Sequence, residues 1–593
     1  MEAVSVNDLP WNDDHHRSSF FPDIQDMEDH LVSLVPPKIT SSPQIPILTH
    51  HMLFEGNLGN ITETRPIDIS VKLGTVENIH IGVTSTPKEV TSHTALFKEF
   101  RDVFAWSYEE MLGIDPSIIV HEIKTYPDAR PVRQKLRPVH PRKTVAIEAE
   151  IEKLLKAGFI YPVPLTDWVS NVVPVTKKQG TIRVYVDYRD LNAACPKDNY
   201  PTPFIDQIID NCAGSAIFSF MDGFSGYNQI EILPSDQLKT AFICPWGTFA
   251  YRKLPFGLKN AGATFQQAMS YVFHDIKHIT DPYLDDLPTH SDRREDHVSH
   301  LRAIFLRCRH YRMHLNPHKC IFCVESGRLL GFIVSRDGIR IDPFKVEAIL
   351  ALPPPKKITQ LQSLQGKANF LRRFVCNYAE MLQGYMRLLK KDTPFIWDEQ
   401  AQSSFEKLKY ALTHAPLIHP PDYSKDFTLY IAASNATIAV VLVQESHDRE
   451  EHVVYYLSKS LIGPEIRYCH VEKLALAAVF AVQRFRHYIL LRKTTIVADA
   501  NPMYHILTRQ VLGGKYSRWI VVLQEFDLEF AKSKSKKSLV FAELICDLPR
   551  TDQEEEHIEP FPDETIFLIS TSDPWYGDPL LPADSTLPTR AVS

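Results

Sequence analysis

The chain has 593 residues, 44% of them hydrophobic and 23% charged, with a formal net charge of -7. That length exceeds what one hydrophobic core supports, so three or four packed units are expected. The acidic total does not mark a nucleic-acid binder, although phosphate contacts need only local basic surface.

Nine cysteines without paired zinc-ribbon spacing, Cys320 and Cys323 included, indicate reduced thiols and no structural zinc. The longest apolar run, Leu474 to Val482, is about half a membrane span. The acidic N-terminus lacks a basic stretch followed by an apolar core, so neither a transmembrane helix nor a secretory signal is expected.

In chain order, residues 1–93 mix Asp-Asp-His-His, Pro-Pro and Ser-Ser-Pro without a sustained period and read as an irregular linker or remnant. Leu96, Phe97, Phe100, Val103 and Phe104 recur at helical spacing and predict an amphipathic helix over 94–111 with a core-facing aromatic side. Arg130, Arg133, Lys135, Arg137, Arg142 and Lys143 then alternate with prolines. Proline keeps such a stretch extended, so it is either a solvated basic loop or a track for a phosphate backbone. Pro141 opens and Gly158 closes a helix carrying Ile147, Ile151, Leu154 and Leu155 on one face.

NVVPVT and TIRVYVD follow as strands around the turn KKQG, whose Lys177 and Lys178 form a flap able to close on a triphosphate. Ile205, Ile208 and Ile209 share a helical face. AIFSFMDGFSGYNQI, residues 216–230, reads as a buried strand ending at Asp222, where a carboxylate exits into a glycine-containing turn and faces a cleft. In LPFGLKNAGATFQQAMSYVF, Gly257 turns into a helix that starts near Asn260, and Lys259, Asn260 and Gln266 are polar groups able to meet a nucleotide or template base.

Tyr283-Leu284-Asp285-Asp286 puts two adjacent carboxylates between hydrophobic flanks, costly to bury without a cation beside them. Asp222 lies 63 positions before Asp285, far enough for the two strands to pair in one sheet, and three carboxylates converging there would suit two hard divalent cations. Arg302, Arg307, Arg309 and Arg312 then mark the solvated face of an amphipathic helix. Further helices over about 345–381 offer Lys356, Lys357, Lys367, Arg372 and Arg373 to a nucleic-acid backbone. Three strands (FTLYIAAS, AVVLVQ, HVVYYLS), the helix VEKLALAAVFAVQRFRHYIL and the strand TTIVADA come next, before an acidic, proline-rich tail at 549–593 that reads as disordered.

The ordered set IRVYVDYRDLN, FSFMDGFSGYNQI, LPFGLKNAGATFQ, YLDD and RLLGFIVSRDGI resembles the reverse transcriptase of gypsy-type LTR retrotransposons, with close similarity to plant members, across residues 110–548. The resemblance implies an α+β multidomain chain: a right-hand polymerase of fingers, palm and thumb, followed by a connection and an RNase H-like α/β domain. Residues 94–160 would be an N-terminal helical and basic segment, 161–337 fingers and palm, 338–393 thumb and connection helices, and 394–548 the RNase H-like domain. The implied activity is RNA-directed DNA polymerase, with an RNA or DNA template, a primer, dNTPs and two Mg²⁺ ions, or Mn²⁺ in their place. No membrane partner is implied, the oligomeric state is left open, and the family's setting is a cytoplasmic particle or the nucleus.

By the same resemblance, Asp222, Asp285 and Asp286 match the three metal-binding catalytic carboxylates. Arg183, assisted by Lys177 or Lys178, matches the contact to the incoming triphosphate. Tyr227 matches the bulky residue that excludes ribonucleotides, Phe256 and Gln266 the nucleotide pocket and template contact, and Leu330 and Gly331 the primer-grip hairpin. Two positions break the pattern. Pro288 stands where a strand residue with a backbone donor is usual, which predicts some lost sheet pairing. Glu472, Asp499 and Glu543 fall on RNase H carboxylate positions, but Ala432 replaces the first aspartate, which predicts weak or absent RNA cleavage. With no protease triplet, integrase-type zinc cluster or zinc knuckle in the sequence, the chain reads as a polyprotein fragment or a degenerate copy. The competing reading is a catalytically inactive relic that binds nucleic acid.

Overall fold

The strand Ile217–Asp222 organises the first half of the protein, and its sequence IFSFMD shows why: apolar residues on both faces suit a strand covered from two sides. It lies between Ile321–Val324 and Asp286–Ser291, antiparallel to both, in a five-stranded sheet that continues through Asn78–Gly82 to Thr64–Asp68. The computed structural model describes residues 62–71, 74–176, 182–391, 393–446, 449–507 and 514–532, all within one unit spanning Leu53–Ser593.

Two of these strands correct the linker reading of residues 1–93. Thr64–Asp68 pairs with Asn78–Gly82, which runs parallel to Ile321–Val324. Strands this short show little alternation, and a partner some 240 residues away in sequence supplies the pairing that the local sequence does not announce. The helix predicted over 94–111 is displaced as well. It spans Pro87–Glu99, started by a reciprocal Thr86–Glu89 capping box. Phe100, Val103 and Phe104 are buried from the short turn that follows it, so one run of apolar spacing crosses two kinds of helix. The helix from Pro141 is found at Pro141–Lys156 with Ile147, Ile151 and Leu154 buried, and Gly158 takes φ +72° where the chain leaves it.

A second five-stranded sheet runs in the order Ile160–Pro162, Gly247–Tyr251, Phe242–Cys244, Ser170–Thr176, Ile182–Val186. Its last two strands form the hairpin expected around KKQG, with Val175 opposite Arg183. The basic segment before it is extended and bonded to this sheet's margin, Gln134 N–H to Val169 C=O at 2.8 Å and Val169 N–H to Val132 C=O at 3.1 Å. Arg137 is engaged there: with Arg189 it holds Asp187, whose carboxyl sits down at about 2 chiefly through the Arg189 hydrogen bonds.

Helix His297–His310 contributes Phe305 to an aromatic cluster with Phe97 and Phe322. The arginines expected on a merely solvated face pair with neighbours, Arg302 with Glu99, Arg309 with Asp102 and Arg307 with Asp275. Beneath them His297, fully buried, bonds Ser219 at 2.7 Å and Ser291 at 2.8 Å, and Ser291 also meets His300. His290 meets Ser215 at 3.2 Å through Nδ1, while its Nε2 is buried without a hydrogen-bond partner among the described residues.

A three-stranded hairpin sheet (Ser326–Leu329, Phe332–Ser335, Gly338–Ile341) leads into the helices Pro343–Leu350, Ile358–Phe370 and Glu399–Thr413, which share a separate core. Beyond them, Glu451–Ser460, Thr437–Glu445 and Phe427–Ala433 run antiparallel and Thr494–Ala498 and Leu528–Lys532 continue the sheet in parallel. Helix His470–Arg484 packs its apolar side onto that sheet. Arg373, read from sequence as a contact for a nucleic-acid backbone, is instead 3% exposed at the joint of these regions. It pairs with Asp210 of helix Ile205–Cys212 and donates to the Val454 carbonyl at 3.1 Å, while Tyr488 bonds the same aspartate. A charge so deeply enclosed persists only because it is paired.

Burial pushes the His290 imidazole down to about 4, Asp292 opposing the fall and His300 and His278 adding to it. An unfolded histidine titrates near 6.5, so the contribution of neutral His290 is complete above that pH and is lost as pH falls from 6.5 toward 4. Urea midpoints at pH 7.5 and 4.5 are expected to show a drop that His290→Gln reduces by roughly 3 kcal/mol.

Candidate active site

The register between the two acidic strands decides the site. Asp286 lies opposite Asp222, and the Gly223 N–H donates to the Asp285 carbonyl at 2.9 Å. That bond makes Asp286 and Asp222 a non-hydrogen-bonded pair, the class with the shortest cross-strand spacing and the closest side chains. Like charges directly opposed are unfavourable. Burial first, then Asp285 and Asp222, push the Asp286 carboxyl up to about 6, and burial raises Asp222 as well.

The same register corrects the expectation for Pro288. It pairs with Phe220 two residues further along, again at a non-hydrogen-bonded position, so the missing N–H would have pointed away from the central strand. Asp286–Ser291 is moreover the edge strand of its sheet, where proline is tolerated. Pairing runs unbroken from Asp286 to Ser291, and the outward Pro288 carbonyl accepts from Thr280 Oγ1 at 2.7 Å.

Tyr283 and Asp286 bond each other through both backbone groups, at 2.9 and 3.0 Å, and close a two-residue turn over Leu284 and Asp285. Leu284 takes φ +53°, a conformation costing a non-glycine residue on the order of 1 kcal/mol or more. Close approach is built in on the facing side: a Cβ at Gly226 would stand 3.1 Å from Asp285 Cβ. Tyr227, half-buried, meets Phe256 edge-on at 4.8 Å and Phe265 at 5.4 Å, leaving Phe256 43% exposed beside the acidic strands' exit.

Lys319 is a site residue that sequence reading missed. Its ammonium bonds both Asp222 oxygens, at 3.1 and 2.9 Å. The turn carrying it is fixed by Asn316 N–H donating to the Asp222 carbonyl at 2.8 Å. The available signal was a lysine immediately before the buried strand IFCV in NPHKCIFCV. Among the described residues no three carboxylate, imidazole or thiol side chains already converge as a metal cage. Desolvated, mutually repelling aspartates with one carboxylate already on a cation are nevertheless a donor set that fits hard divalent ions.

Several expected contacts fall elsewhere. Gln266, expected at a nucleotide or template base, is 1% exposed and bonds the backbone of the acidic turn. Lys259 and Asn260 tie down the 192–198 loop through Asn192, Cys195, Pro196 and Asp198. Lys177 and Lys178 lie outside the described residues, and Arg183 is placed by its backbone in Ile182–Val186. Leu330 and Gly331 both take positive φ, +50° and +86°, as the central pair of the tight turn between Ser326–Leu329 and Phe332–Ser335.

In the C-terminal sheet, Ala432 is buried in an apolar cluster with Tyr430, Val441 and Tyr456. Glu472 caps its own helix at the Cys469 N–H and is bonded by Tyr516, with the Lys515 ammonium at 3.7 Å. Asp499 meets His470 Nε2 at 3.0 Å, and Glu543 lies outside the described residues.

Residues 175–334 match the family described as reverse transcriptase (RNA-dependent DNA polymerase), and residues 397–496 match the RNase H-like domain found in reverse transcriptase. Over 417 residues the chain is 32% identical to the retrovirus-related Pol polyprotein from transposon 297 of Drosophila melanogaster, covering 69% of this chain and 39% of that one. Over 440 residues it is 28% identical to the transposon Tf2-3 polyprotein of Schizosaccharomyces pombe, covering 73% of this chain and 33% of the relative. The chain thus spans well under half the length of these curated relatives. Solved structures of the foamy viral protease-reverse transcriptase share the fold at 20% identity. The dRH form in complex with double-stranded DNA gives a TM-score of 0.69, covering 77% of this chain and 80% of that one. The complex with RNA/DNA hybrid gives 0.67, covering 81% and 64%.

Fold and sequence together define a reverse transcriptase domain followed by an RNase H-like domain, in a mixed α+β chain. Over these domains the chain is similar to transposon polyproteins.

Because Lys319 competes for Asp222, Lys319→Met is expected to tighten Mn²⁺ binding to the nucleic-acid-free protein roughly tenfold, read by isothermal titration. Unchanged affinity would show that the ammonium does not guard the site.

Proposed function

We propose that the chain is the polymerase of a plant gypsy-type LTR retrotransposon: an RNA-directed DNA polymerase that extends a primer with dNTPs on an RNA or DNA template. The observation that carries this reading is the direct opposition of Asp222 and Asp286, with Asp285 beside them, at the exit of the central strand and next to the Tyr227–Phe256 wall. The five quoted motifs support the plant gypsy-type assignment. The foamy viral relatives bound to double-stranded DNA and to RNA/DNA hybrid support a template-primer partner.

Asp222, Asp285 and Asp286 would hold two Mg²⁺ ions, or Mn²⁺, which when bound supply activation of the primer 3′-hydroxyl and neutralisation of the triphosphate. The protein's own groups do the rest. Lys319 neutralises Asp222 and would have to give up that carboxylate for an ion to bind there. Tyr227 closes the space a 2′-hydroxyl would need, which selects dNTPs. Arg183, assisted by Lys177 or Lys178, grips the triphosphate. Leu330 and Gly331 present the hairpin against the primer. Exposed Lys356, Lys357 and Lys367 and the extended basic segment follow the backbone.

The competing reading, a catalytically inactive relic that binds nucleic acid, draws its support from the C-terminal domain, where Ala432 faces apolar neighbours and Glu472 and Asp499 already have side-chain partners. There the RNase H-like unit acts as a structural support with little or no nuclease activity.

Primer extension with dTTP on poly(rA)·oligo(dT) and Mg²⁺ is expected from the wild type, and Asp285→Asn should lower it on the order of a thousandfold or more. No incorporation with either Mg²⁺ or Mn²⁺, despite template binding, would leave only the relic. On an RNA·DNA hybrid the same preparation is expected to show no robust cleavage; robust cleavage abolished by Asp499→Asn would overturn the structural role.

A further inference from the structure

Gln266 is among the most enclosed polar side chains of the described residues, at 1% exposure, and the hydrogen bonds of its amide go to backbone atoms. Its Oε1 accepts from the Leu284 N–H at 2.7 Å and its Nε2 donates to the Pro282 carbonyl at 3.0 Å. Both partners are backbone atoms flanking Tyr283, so one amide grips the chain on either side of it where it enters the acidic turn. Only an amide of this length offers an acceptor and a donor together. A carboxylate would accept from Leu284 and repel the Pro282 carbonyl.

The turn needs a clamp. Of its two central residues only the first, Leu284, has positive φ, the pattern in which glycine is normally found at that place. A leucine there drifts toward ordinary backbone angles unless its surroundings hold it, and such drift would swing Asp285, the next residue, away from Asp222. Tyr283 and Asp286 close the turn from below but leave the Leu284 N–H to Gln266 alone.

We propose that Gln266 is a positioning residue that locks the strained Leu284 turn and thereby aims Asp285 at the catalytic site. The inference rests on the polymerase reading above for its consequence, though not for its geometry. Gln266 acts through the turn and does not read the template or the nucleotide.

The test compares wild type, Gln266→Met, Leu284→Gly and the double variant, in primer extension with Mg²⁺ and in thermal unfolding. Gln266→Met keeps the side-chain length and removes both hydrogen bonds, and is expected to lower kcat by about 10- to 100-fold with less than about threefold change in KM for dTTP. Glycine takes positive φ without a clamp, so the double variant should regain at least about fivefold in kcat over Gln266→Met, a non-additivity expected of coupled residues. A rise in KM at unchanged kcat would make Gln266 a nucleotide or template contact and overturn the proposal. Strictly additive losses, with no recovery in the double variant, would reduce it to ordinary core packing and overturn it equally. If the wild type itself extends no primer, the polymerase reading fails, and the thermal midpoints alone judge the clamp: coupled shifts uphold it and additive shifts refute it.

Discussion

The structure turns on two carboxylates placed face to face. Asp222 and Asp286 occupy a non-hydrogen-bonded pair between the central strand and its edge neighbour, the arrangement that brings side chains closest, and both are largely withdrawn from water. Left alone the pair would repel, and much of the surrounding architecture answers that repulsion or holds the chain against it. Lys319 lays an ammonium on Asp222, Gly226 makes room for Asp285, and Gln266 clamps the turn that leads into the edge strand. The raised carboxyl of Asp286 lies where a cation would relieve its repulsion from Asp285 and Asp222, and Leu284 keeps its left-handed backbone in the turn beside it.

The frame around this pair is rigid for a different reason. The central strand is covered on both sides, and the buried serine–histidine contacts behind it satisfy polar groups without charge. At the far end, Arg373 and Asp210 join the first domain to the helices and sheet that follow, a fully enclosed ion pair whose partners come from distant parts of the chain. Such a joint ties the RNase H-like unit to the polymerase region as one body of packing, which suits a unit whose own carboxylate positions are occupied by an alanine and by side chains with partners of their own.

Much of this was legible in the sequence. Hydrophobic runs ending at an aspartate, a glycine-rich turn, an amphipathic helix and a second acidic station are local patterns, and they located the central strand, the KKQG hairpin, the helix from Pro141 and the first three strands of the C-terminal sheet. The acidic triad and the aromatic wall follow from residue type and order. Pro288 shows the limit: its residue type argued for broken pairing, and only the register revealed that its missing donor faces outward on an edge strand.

Sequence alone therefore determined the composition of the site and the class of each major element, because those depend on side-chain chemistry and on periods of two or 3.6 residues. Tertiary structure decided which polar groups are spent internally. Gln266, Arg373, Lys259 and Arg137 look like free ligands for a nucleotide or a phosphate when read along the chain. Folding commits each of them to a backbone carbonyl, a backbone N–H or a carboxylate from a segment remote in sequence. The strand at Asn78–Gly82 was hidden for the same reason: its place in the sheet comes from a partner some 240 residues away, and Thr64–Asp68 in turn pairs on it, so no local pattern carries that information.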